Sequence, residues 1–446
     1  MRRISIFIVI IIQILCIRNS YAQNFFSLPP GFNNAVRAIY YDDSSNTLYA
    51  GGNFSELGNG QIMYYVSQWN GSSWASLNYG LDQLVLAITK FQGEIYAGGS
   101  FSGDLTGNVY NPSLAKWNGS AWQQVCTIQG GSWGGPVWSL FVDNNNLYIG
   151  GAFDSINGIP ASGLARFDGT NWYTYPSLGG FFYVNAIAVY NGELYIGGNF
   201  DAGFGKADIV KFDGSSWVSV GGGLSGGATI IDGMLVYQGE LYVVGLFHTA
   251  SGDPGNCIAK WNGTAWSSLG SGITMGAGQL FKIISFQNQV YVAGSFNSIS
   301  GVQATSVARW DGSQWHNIGG VFSNGATALA ENGNDLYIGG AFWTVNGDSM
   351  NFITRYSPPL EIEENTFGNS GITITPVPNN GCFIFSSLFY PIESIRLIDL
   401  SGRVIFSEDK ILSNSYECKL NSPDGIYIAE VFVNGNAYRN KIIIAH

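Results

Sequence analysis

Charged side chains are scarce in this chain, since Asp, Glu, Lys and Arg make up 11% of its 446 residues. The net charge is −11, so the chain lacks the cationic field that recruits nucleic acid or an anionic membrane surface. Its three histidines, His248, His316 and His446, lie far apart and form no metal-binding motif. We therefore predict no metal, no cofactor and no nucleic-acid partner.

Long apolar runs are also absent, except at the N-terminus. A basic start is followed by the apolar run Ile4–Ile17 and by a small-x-small cleavage pattern at Ser20–Ala22. This order predicts a secretory signal peptide over residues 1–22, cleaved between Ala22 and Gln23. Because no other run is long enough to cross a bilayer, we predict no transmembrane segment in the mature chain.

Glycine (61 residues) and aromatic residues (15%) are abundant, and they recur in a repeated pattern. In the clearest copy, residues 184–224, turn residues separate four short apolar runs. These runs are Val184–Tyr190, Leu194–Phe200, Ala207–Phe212 and Ser216–Val220. Runs of this length indicate strands, and the Asn-Gly and Asp-Gly pairs between them favour tight hairpins. Each repeat is therefore predicted to form a four-stranded antiparallel meander.

The repeat can be counted from the tyrosine of its second strand, which recurs seven times at a mean interval of 48 residues. The seven copies are Tyr49, Tyr96, Tyr148, Tyr195, Tyr242, Tyr291 and Tyr337. Most copies are followed by Gly-Gly-x-Phe, and the third strand ends in an aromatic residue with a tryptophan five positions later. A period of 40–50 residues with four strands per repeat is typical of a β-propeller.

The two ends of the repeat array complement each other. After Phe352–Tyr356 the last copy lacks a tryptophan-bearing fourth strand, whereas Phe25–Leu28 precedes the first copy and matches Trp74–Leu77. We predict that the N-terminal strand pairs with Phe352–Tyr356 and leaves no open sheet edge. The predicted fold is all-β, a seven-bladed β-propeller over residues 23–357.

Beyond the repeats, residues 358–371 are rich in Pro, Glu and Asn and predict a linker. Residues 372–446 contain about seven short apolar runs, which predict a small Ig-like β-sandwich. Cys126 and Cys257 fall in different repeats, so a bond between them is not expected. The sequence is compatible both with a Cys382–Cys418 disulfide and with two free thiols.

The repeat resembles the kelch propeller repeat in its order of diglycine, aromatic residue and tryptophan. The resemblance covers roughly residues 24–357 and implies a bacterial kelch-like propeller, although other basic and aromatic positions usual in kelch units are missing. It concerns the fold and says little about function.

The C-terminal residues resemble the type A sorting domain of the type IX (Por) bacterial secretion system. The motifs are Pro-Val-Pro-Asn-Asn-Gly, where Val377 replaces the usual Asn, then Asp-Leu-Ser-Gly-Arg, then Gly-Ile-Tyr, then a terminal Lys-Ile-Ile-Ile strand. The matching residues are Pro376, Pro378, Asn379, Gly381, Asp399, Gly402, Arg403, Gly425, Tyr427 and Lys441. The resemblance implies export through the periplasm by the type IX machinery, to the medium or the outer-membrane surface. The alternative is a plain Ig-like adhesion module.

The sequence offers no catalytic constellation. The recurring Asp/Asn-Gly pairs indicate turns rather than a catalytic acid. Arg166, Arg309 and Arg355 occupy the same position in their repeats, so they lie apart on the propeller and cannot clamp one carboxylate; only Arg37 departs from this pattern. We therefore predict a protein that is not an enzyme.

Binding is favoured by the loops. The connections between second and third strands, and between repeats, are long and variable, and they share one face, named here the irregular face. Candidate ligand-binding residues are aromatic residues of these loops: Tyr64, Tyr110, Trp133, Phe181, Phe182 and Trp343. We predict a secreted or cell-surface protein that binds a glycan or a protein partner through this face. The alternative is a secreted carbohydrate-active hydrolase or lyase.

Overall fold

The structure, a computed structural model, divides into two compact units, Met1–Pro358 and Pro359–His446. It describes residues 24–105, 113–130, 134–177, 182–200, 208–225, 229–250, 256–273, 278–358, 371–375, 382–399, 403–420, 422–423 and 425–444. All regular elements in these residues are β-strands, which confirms the predicted all-β class. Within the same ranges no helix has the length and apolar character needed to span a membrane.

Seven four-stranded antiparallel sheets make up the described part of the first unit. Each is a meander that runs in chain order from an inner strand to an outer strand, and sheets 1–7 are numbered along the chain. Sheet 1 comprises Val36–Asp42, Thr47–Gly52, Val66–Trp69 and Trp74–Ser76. Sheet 2 comprises Val85–Phe91, Glu94–Gly99, Leu114–Trp117 and Trp122–Gln124.

Sheets 3, 4 and 5 follow the same order. Sheet 3 comprises Val137–Asp143, Asn146–Gly151, Leu164–Phe167 and Trp172–Thr174. Sheet 4 comprises Phe182–Tyr190, Glu193–Phe200, Ile209–Phe212 and Trp217–Ser219. Sheet 5 comprises Ile230–Tyr237, Glu240–Leu246, Ile258–Trp261 and Trp266–Ser268.

Sheets 6 and 7 complete the series, and sheet 7 takes its outer strand from the start of the chain. Sheet 6 comprises Gln279–Phe286, Gln289–Ser295, Val307–Trp310 and Trp315–Asn317. Sheet 7 comprises Ala326–Glu331, Leu336–Gly340, Ile353–Tyr356 and Phe25–Ser27.

The pairing of the N-terminal strand with the last repeat is confirmed. Phe25 lies opposite Tyr356 in antiparallel register, and its aromatic ring is buried between Tyr356 and Phe322, with centroid distances of 5.0 and 5.7 Å. The inner strands contact one another in chain order, and that of sheet 7 contacts that of sheet 1. The sheets therefore form a closed ring around a central channel.

The outer-strand tryptophans connect neighbouring sheets. In five sheets the indole Nε1 donates a hydrogen bond to a backbone carbonyl that follows the outer strand of the preceding sheet. These bonds, of 2.8–3.2 Å, run from Trp74 to Leu28, Trp122 to Leu77, Trp217 to Pro176, Trp266 to Val220 and Trp315 to Leu269. Each indole thereby satisfies its one polar group while its apolar surface is buried between two sheets.

The diglycine of the second strand has a steric cause. A Cβ at position 51 would overlap the side chain of Val85 on the next inner strand, and a Cβ at position 52 would overlap the carbonyl of Ala35. The same crowding recurs at Gly98 and Gly99 in sheet 2. Glycine is required here because the sheets converge on the channel at this level.

Short extra strands lie on the irregular face. They are Ile128–Gln129, Ser155–Ile156, Ile159–Pro160, Leu224–Ser225, Thr249–Ala250, Ser298–Ile299, Val302–Gln303, Thr344–Val345 and Asp348–Ser349. Several tie one connection to the next: Ile128 pairs with Ile156, Leu224 pairs with Ala250, and Phe322 forms a bridge with Val345. Backbone pairing thus holds these loops in place at the end of the channel.

The second unit consists of two sheets with a shared apolar core. The first contains Ile372–Thr375, Cys382–Ser387 and Ser415–Lys419; the second contains Val404–Ser413, Ile392–Asp399, Gly425–Val433 and Asn436–Ile444. Residues of both sheets, among them Phe383, Phe385, Leu397 and Val431, form one buried cluster. Cys382 and Cys418 lie on paired strands and are both free thiols.

The described motif residues of this unit take structural positions. The amide and guanidinium of Arg403 donate to the carboxylate of Asp399 at 3.0 and 3.3 Å and close a tight connection. Tyr427 is buried, and its hydroxyl donates to the carbonyl of Pro423 at 2.8 Å. Gly425 and Lys441 lie in the last two strands. Pro376, Pro378, Asn379, Gly381 and Gly402 lie outside the described residues, as do the predicted signal peptide, Gln23 and most of the linker.

Candidate functional site

Every inner strand carries a β-bulge near its first residue, which places one extra side chain at the channel. The bulge residues are Arg37, Leu86, Trp138, Asn185, Asp232, Phe281 and Thr327. In five sheets the bulge lies opposite the diglycine of the second strand; in sheet 1, Val36 and Ala38 face Gly52 and Gly51. A bulge turns the side chain of its extra residue away from the sheet, and bulges are enriched beside active sites for this reason.

All seven bulge residues line one cavity of about 250 Å³ in the channel. Because the bulges lie where the inner strands begin, the cavity is at the irregular-face end of the channel. The position after the bulge holds Ala, Ser or Gly in six sheets and Lys282 in sheet 6. Deeper in, Ile39, Ile88 and Leu329 are buried and form an apolar floor. The cavity is therefore polar at its entrance and apolar at its base.

Asp232 is the carboxyl group of this cavity. Asn185 Nδ2 donates to its Oδ1 at 3.2 Å, and Gln279 Nε2 donates to its Oδ2, so that residues of three sheets meet at one carboxylate. Burial raises the pKa of Asp232 to about 7, against the opposing effect of these two hydrogen bonds. Asp232 is thus poised to exchange a proton near neutral pH, which is unusual for an aspartate.

Lys282 is the second titratable group. Its side chain is exposed and lines the cavity, and desolvation by the surrounding protein lowers the pKa of its ammonium group. Within the described residues Lys282 forms no ion pair or hydrogen bond. It lines the same cavity as Asp232 without an ion pair between the two, so both groups are available to a ligand.

Arginine and aromatic side chains complete the entrance. Arg37 is exposed, and its Nε donates to Asn53 Oδ1 at 3.1 Å. Trp138 packs edge-on against Tyr183, with ring centroids 4.4 Å apart. Phe281, the bulge residue of sheet 6, also lines the cavity. Among its described residues, the site therefore combines aromatic faces, an amide donor, two basic side chains and one protonatable carboxyl.

Of the aromatic residues predicted to bind ligand, Tyr64 and Trp343 have described side chains, and neither is among the described residues that line this cavity. Trp343 is 64% exposed in the connection between the second and third strands of sheet 7, with its ring 6.1 Å from that of Phe352. Tyr64 is half-buried, and its carbonyl accepts a hydrogen bond from the amide of Leu81 in the next connection. Phe182 begins the inner strand of sheet 4. Tyr110, Trp133 and Phe181 lie outside the described residues. Their role as ligand anchors stays a prediction.

Sequence reasoning placed the repeated arginines correctly and missed the cavity. Arg166, Arg309 and Arg355 each lie opposite the repeat tyrosine of their own sheet, as predicted. Of the cavity residues, sequence reasoning singled out only Arg37, and it attached no role to it. A signal was available in the sequence. Most inner strands begin with an apolar residue, a second residue that differs from repeat to repeat, a small residue and an aliphatic one, and the second residue is the bulge.

The comparisons with known proteins support the propeller fold. Residues 143–170, which include the second and third strands of sheet 3, match a family described as a domain of unknown function (DUF5122), a beta-propeller. A search of curated proteins gives no match. The first unit is a β-propeller.

Several solved structures are similar to this chain. A GH74 enzyme of Niastella koreensis is 15% identical, with 95% of this chain and 68% of that chain covered and a TM-score of 0.46. A protein of unknown function from Bacteroides thetaiotaomicron is 11% identical, covering 75% and 72%, with a TM-score of 0.37. A GH74 xyloglucanase from Xanthomonas campestris is 12% identical, covering 91% and 70%, with a TM-score of 0.26.

The prediction that the chain is not an enzyme was wrong. The finding against it is that two of these similar structures are a GH74 enzyme and a GH74 xyloglucanase. The prediction rested on the absence of a recognisable catalytic motif in the sequence. Asp232 and Lys282 instead belong to different repeats and come together only in the channel. That cavity is the candidate functional site of the described residues.

Proposed function

We propose that this protein is a secreted, seven-bladed, carbohydrate-active propeller whose active cavity is the irregular-face end of its central channel. The observation that carries the proposal is Asp232, a carboxyl group with a pKa of about 7 in a cavity lined by aromatic and polar side chains. Ligand sites combine apolar walls with a few convergent polar groups, and groups with shifted pKa values cluster in them.

The lining suits a sugar. Trp138 and Phe281 offer aromatic surface, and Asn185, Asp232 and Arg37 offer hydrogen-bonding groups to hydroxyl oxygens. A volume of about 250 Å³ is near the lower end of the range for ligand pockets, so it accommodates a short part of a saccharide chain rather than a long stretch. The aromatic loops of the irregular face, including Trp343, extend the contact area for the rest of the chain.

The acid–base properties favour activity on the bound sugar. Near neutral pH the carboxyl of Asp232 is present in both protonation states, which suits a general acid. The lowered pKa of Lys282 increases its neutral fraction, which suits a general base. Both groups line one cavity, and we infer that one bound sugar contacts both.

The export route is proposed together with the function. We infer a signal peptide at residues 1–22, a kelch-like propeller at 23–357, a linker at 358–371 and an Ig-like type IX sorting domain at 372–446. Two closely packed sheets support the sandwich, and the bond from the Tyr427 hydroxyl to the Pro423 carbonyl resembles the tyrosine corner of Ig-like domains. The protein is then secreted or held at the outer-membrane surface, with the type IX machinery as its partner.

The test uses the full chain against a panel of polysaccharides, with binding and release of reducing ends measured separately. We expect one class of polysaccharide to bind and to be cleaved. Asp232→Asn should reduce cleavage by about 10²–10⁴-fold, while Asp43→Asn, a matched change in an exposed turn at the other end of the channel, should leave it unchanged.

A second pair of variants locates the binding site. Trp138→Ala should weaken binding because its ring lines the cavity, whereas Trp343→Ala should have a smaller effect because it lies outside the cavity. Binding that depends on Trp343 alone would place the site on the loops. A folded protein that neither binds nor cleaves any member of a broad panel would reject the proposal.

A further inference from the structure

We propose that the substrate is an acidic polysaccharide and that the cavity cleaves it by β-elimination at a uronate residue, with Arg37 as carboxylate anchor, Lys282 as base and Asp232 as acid. This inference rests on the proposed carbohydrate activity and narrows it to one substrate class and one reaction. It follows from the charged groups that line the cavity and from the hydrogen bonds and ion pairs that these groups form.

The cavity has an excess of positive charge. Among the described lining residues, Arg37 is a cation, Lys282 is a second basic group and Asp232 is the one carboxyl, so the sum is positive whether the proton is on Lys282 or on Asp232. Two amides already hold that carboxyl, and neither cation forms an ion pair with it. The chain as a whole carries a net charge of −11, so this local excess runs against its general composition. Such a cavity attracts an anionic ligand.

Arg37 is placed to bind a carboxylate. Its Nε donates to Asn53 Oδ1 at 3.1 Å, which orients the guanidinium, and its two terminal nitrogens have no hydrogen-bond partner among the described residues. A guanidinium binds a planar carboxylate through two parallel hydrogen bonds. The other six sheets present Leu, Trp, Asn, Asp, Phe and Thr at the equivalent bulge, so this cation is a local feature of sheet 1.

The titratable groups favour elimination over hydrolysis. Hydrolysis of a glycoside generally uses a pair of carboxyl groups on opposite sides of the scissile bond. Within the described lining, only Asp232 offers one. The other titratable group is Lys282, and a desolvated lysine is a competent base for a proton next to a carboxyl group.

The proposed step balances within the cavity. Neutral Lys282 Nζ takes the proton from C5 of the uronate, which is acidified by the adjacent carboxyl group that Arg37 binds. The C5–H electron pair forms the C4=C5 double bond as the C4–O4 bond breaks. Protonated Asp232 gives its proton to the departing O4. The products are a new non-reducing end with an unsaturated uronate, and a free hydroxyl on the leaving chain. The Lys282 ammonium and the Asp232 carboxylate regain their starting states by proton exchange with water.

The experiment compares acidic polymers with carboxyl-reduced versions of the same polymers, in which each uronate is replaced by the neutral sugar. The full chain is incubated with both, and cleavage is followed by the ultraviolet absorbance of the unsaturated product and by mass spectrometry. We expect binding and unsaturated products with at least one acidic polymer, and neither with its reduced form.

Variants of Lys282 separate chemistry from binding. Lys282→Arg keeps the positive charge but cannot act as a base, so turnover should fall by about 10²–10⁴-fold with binding of the acidic polymer retained. Lys116→Arg, a matched change in the third strand of sheet 2, should behave as the wild type. Arg37→Ala should raise KM at least tenfold, and Arg37→Lys should restore part of the affinity.

The outcomes distinguish this inference from the proposed function. Cleavage of neutral polymers to saturated products, with acidic polymers ignored, would overturn the uronate inference and leave the carbohydrate activity standing. Acidic polymers cleaved equally by the Lys282→Arg protein would overturn the assignment of the base. A folded protein inactive on both kinds of polymer would reject both proposals.

Discussion

Two positions of the same repeat behave in opposite ways. The tryptophan that begins the outer strand is the same residue in six sheets, and where its indole is hydrogen-bonded the acceptor is the backbone of the preceding sheet. The bulge residue of the inner strand differs in all seven sheets and points into one cavity. In this propeller, repetition marks packing and variation marks the candidate site.

The difference has a physical cause. An outer-strand tryptophan meets nearly the same surroundings in each sheet, because the sheets are related by rotation and each packs on its predecessor. A bulge residue faces the common channel, where seven side chains share one space. Identical residues there would bring like groups together, whereas different residues make an asymmetric cavity that suits an asymmetric ligand.

The largest effect should come from removing a buried tryptophan. Trp122 is 1% exposed, and Trp122→Ala should lower the free energy of unfolding by about 3–5 kcal/mol, since it leaves a large cavity between two sheets. Chemical denaturation of the full chain, followed by fluorescence and circular dichroism, measures this. A loss below about 1 kcal/mol would contradict the packing role of the repeated position.

The next effect concerns pH. Burial raises the pKa of Asp232 to about 7, so the folded state binds more protons than the unfolded state between about pH 4 and pH 7. The free energy of unfolding should therefore fall as the pH rises through this window, by at most about 4 kcal/mol, and level off above it. Burial also raises the pKa values of Tyr183 and Cys257, which titrate above this range.

Comparison of denaturation at pH 5 and pH 8 checks this sign. Asp232→Asn, which cannot ionise, should lose much of the dependence, while Asp43→Asn in an exposed turn should retain the wild-type profile. The prediction is contradicted if the free energy of unfolding of the wild type rises from pH 5 to pH 8 and Asp232→Asn abolishes that rise. This result would mean that the folded state holds Asp232 as an anion.

A smaller effect isolates the indole hydrogen bond. Trp122→Phe keeps most of the buried apolar surface but leaves the Leu77 carbonyl without its donor, which should cost about 1–3 kcal/mol. Trp343→Phe, at a ring that is 64% exposed, should change the stability by less than about 0.5 kcal/mol. Equal effects of the two changes would remove the distinction between repeated and loop tryptophans.

The smallest effect is expected at a bulge. Leu86→Ala shortens a partly exposed side chain in the cavity, so it should cost less than about 1 kcal/mol, well below Trp122→Ala in the same sheet. Thermal unfolding of both variants provides the comparison. If Leu86→Ala destabilised the protein as much as Trp122→Ala, the bulge residues would contribute to packing between the sheets. The cavity would then not be supported as a functional site.

Much of the fold could be predicted because hydrophobic periodicity and turn residues act locally. In sheet 4 the predicted strand Val184–Tyr190 is observed as Phe182–Tyr190, and Ala207–Phe212 is observed as Ile209–Phe212. The pairing of Phe25 with Tyr356 was also predictable, since one missing strand and one spare strand shared a pattern. The predicted strand boundaries differ from the observed ones by two residues here, because register decides where pairing stops.

The cavity could not be predicted in the same way. A bulge is a mismatch between two paired strands, so the position of Asp232 becomes visible only when Ile231 and Gly233 are seen opposite Gly245 and Val244. The desolvation of Asp232 and Lys282 likewise depends on neighbours from other sheets. The aromatic loop residues were chosen because they stood outside the repeat, but that criterion does not identify what faces the channel.

The amino-acid sequence by itself determined the four-stranded repeat, the position of the packing tryptophans and the closure by the first strand, because these follow from short-range pattern and from the need to bury apolar faces. Tertiary structure alone decided that Arg37, Asp232 and Lys282 share one cavity. Their placement in one cavity depends on the closed ring of sheets and on bulge geometry, and the shifted pKa values of Asp232 and Lys282 depend on the desolvation that the surrounding sheets cause together.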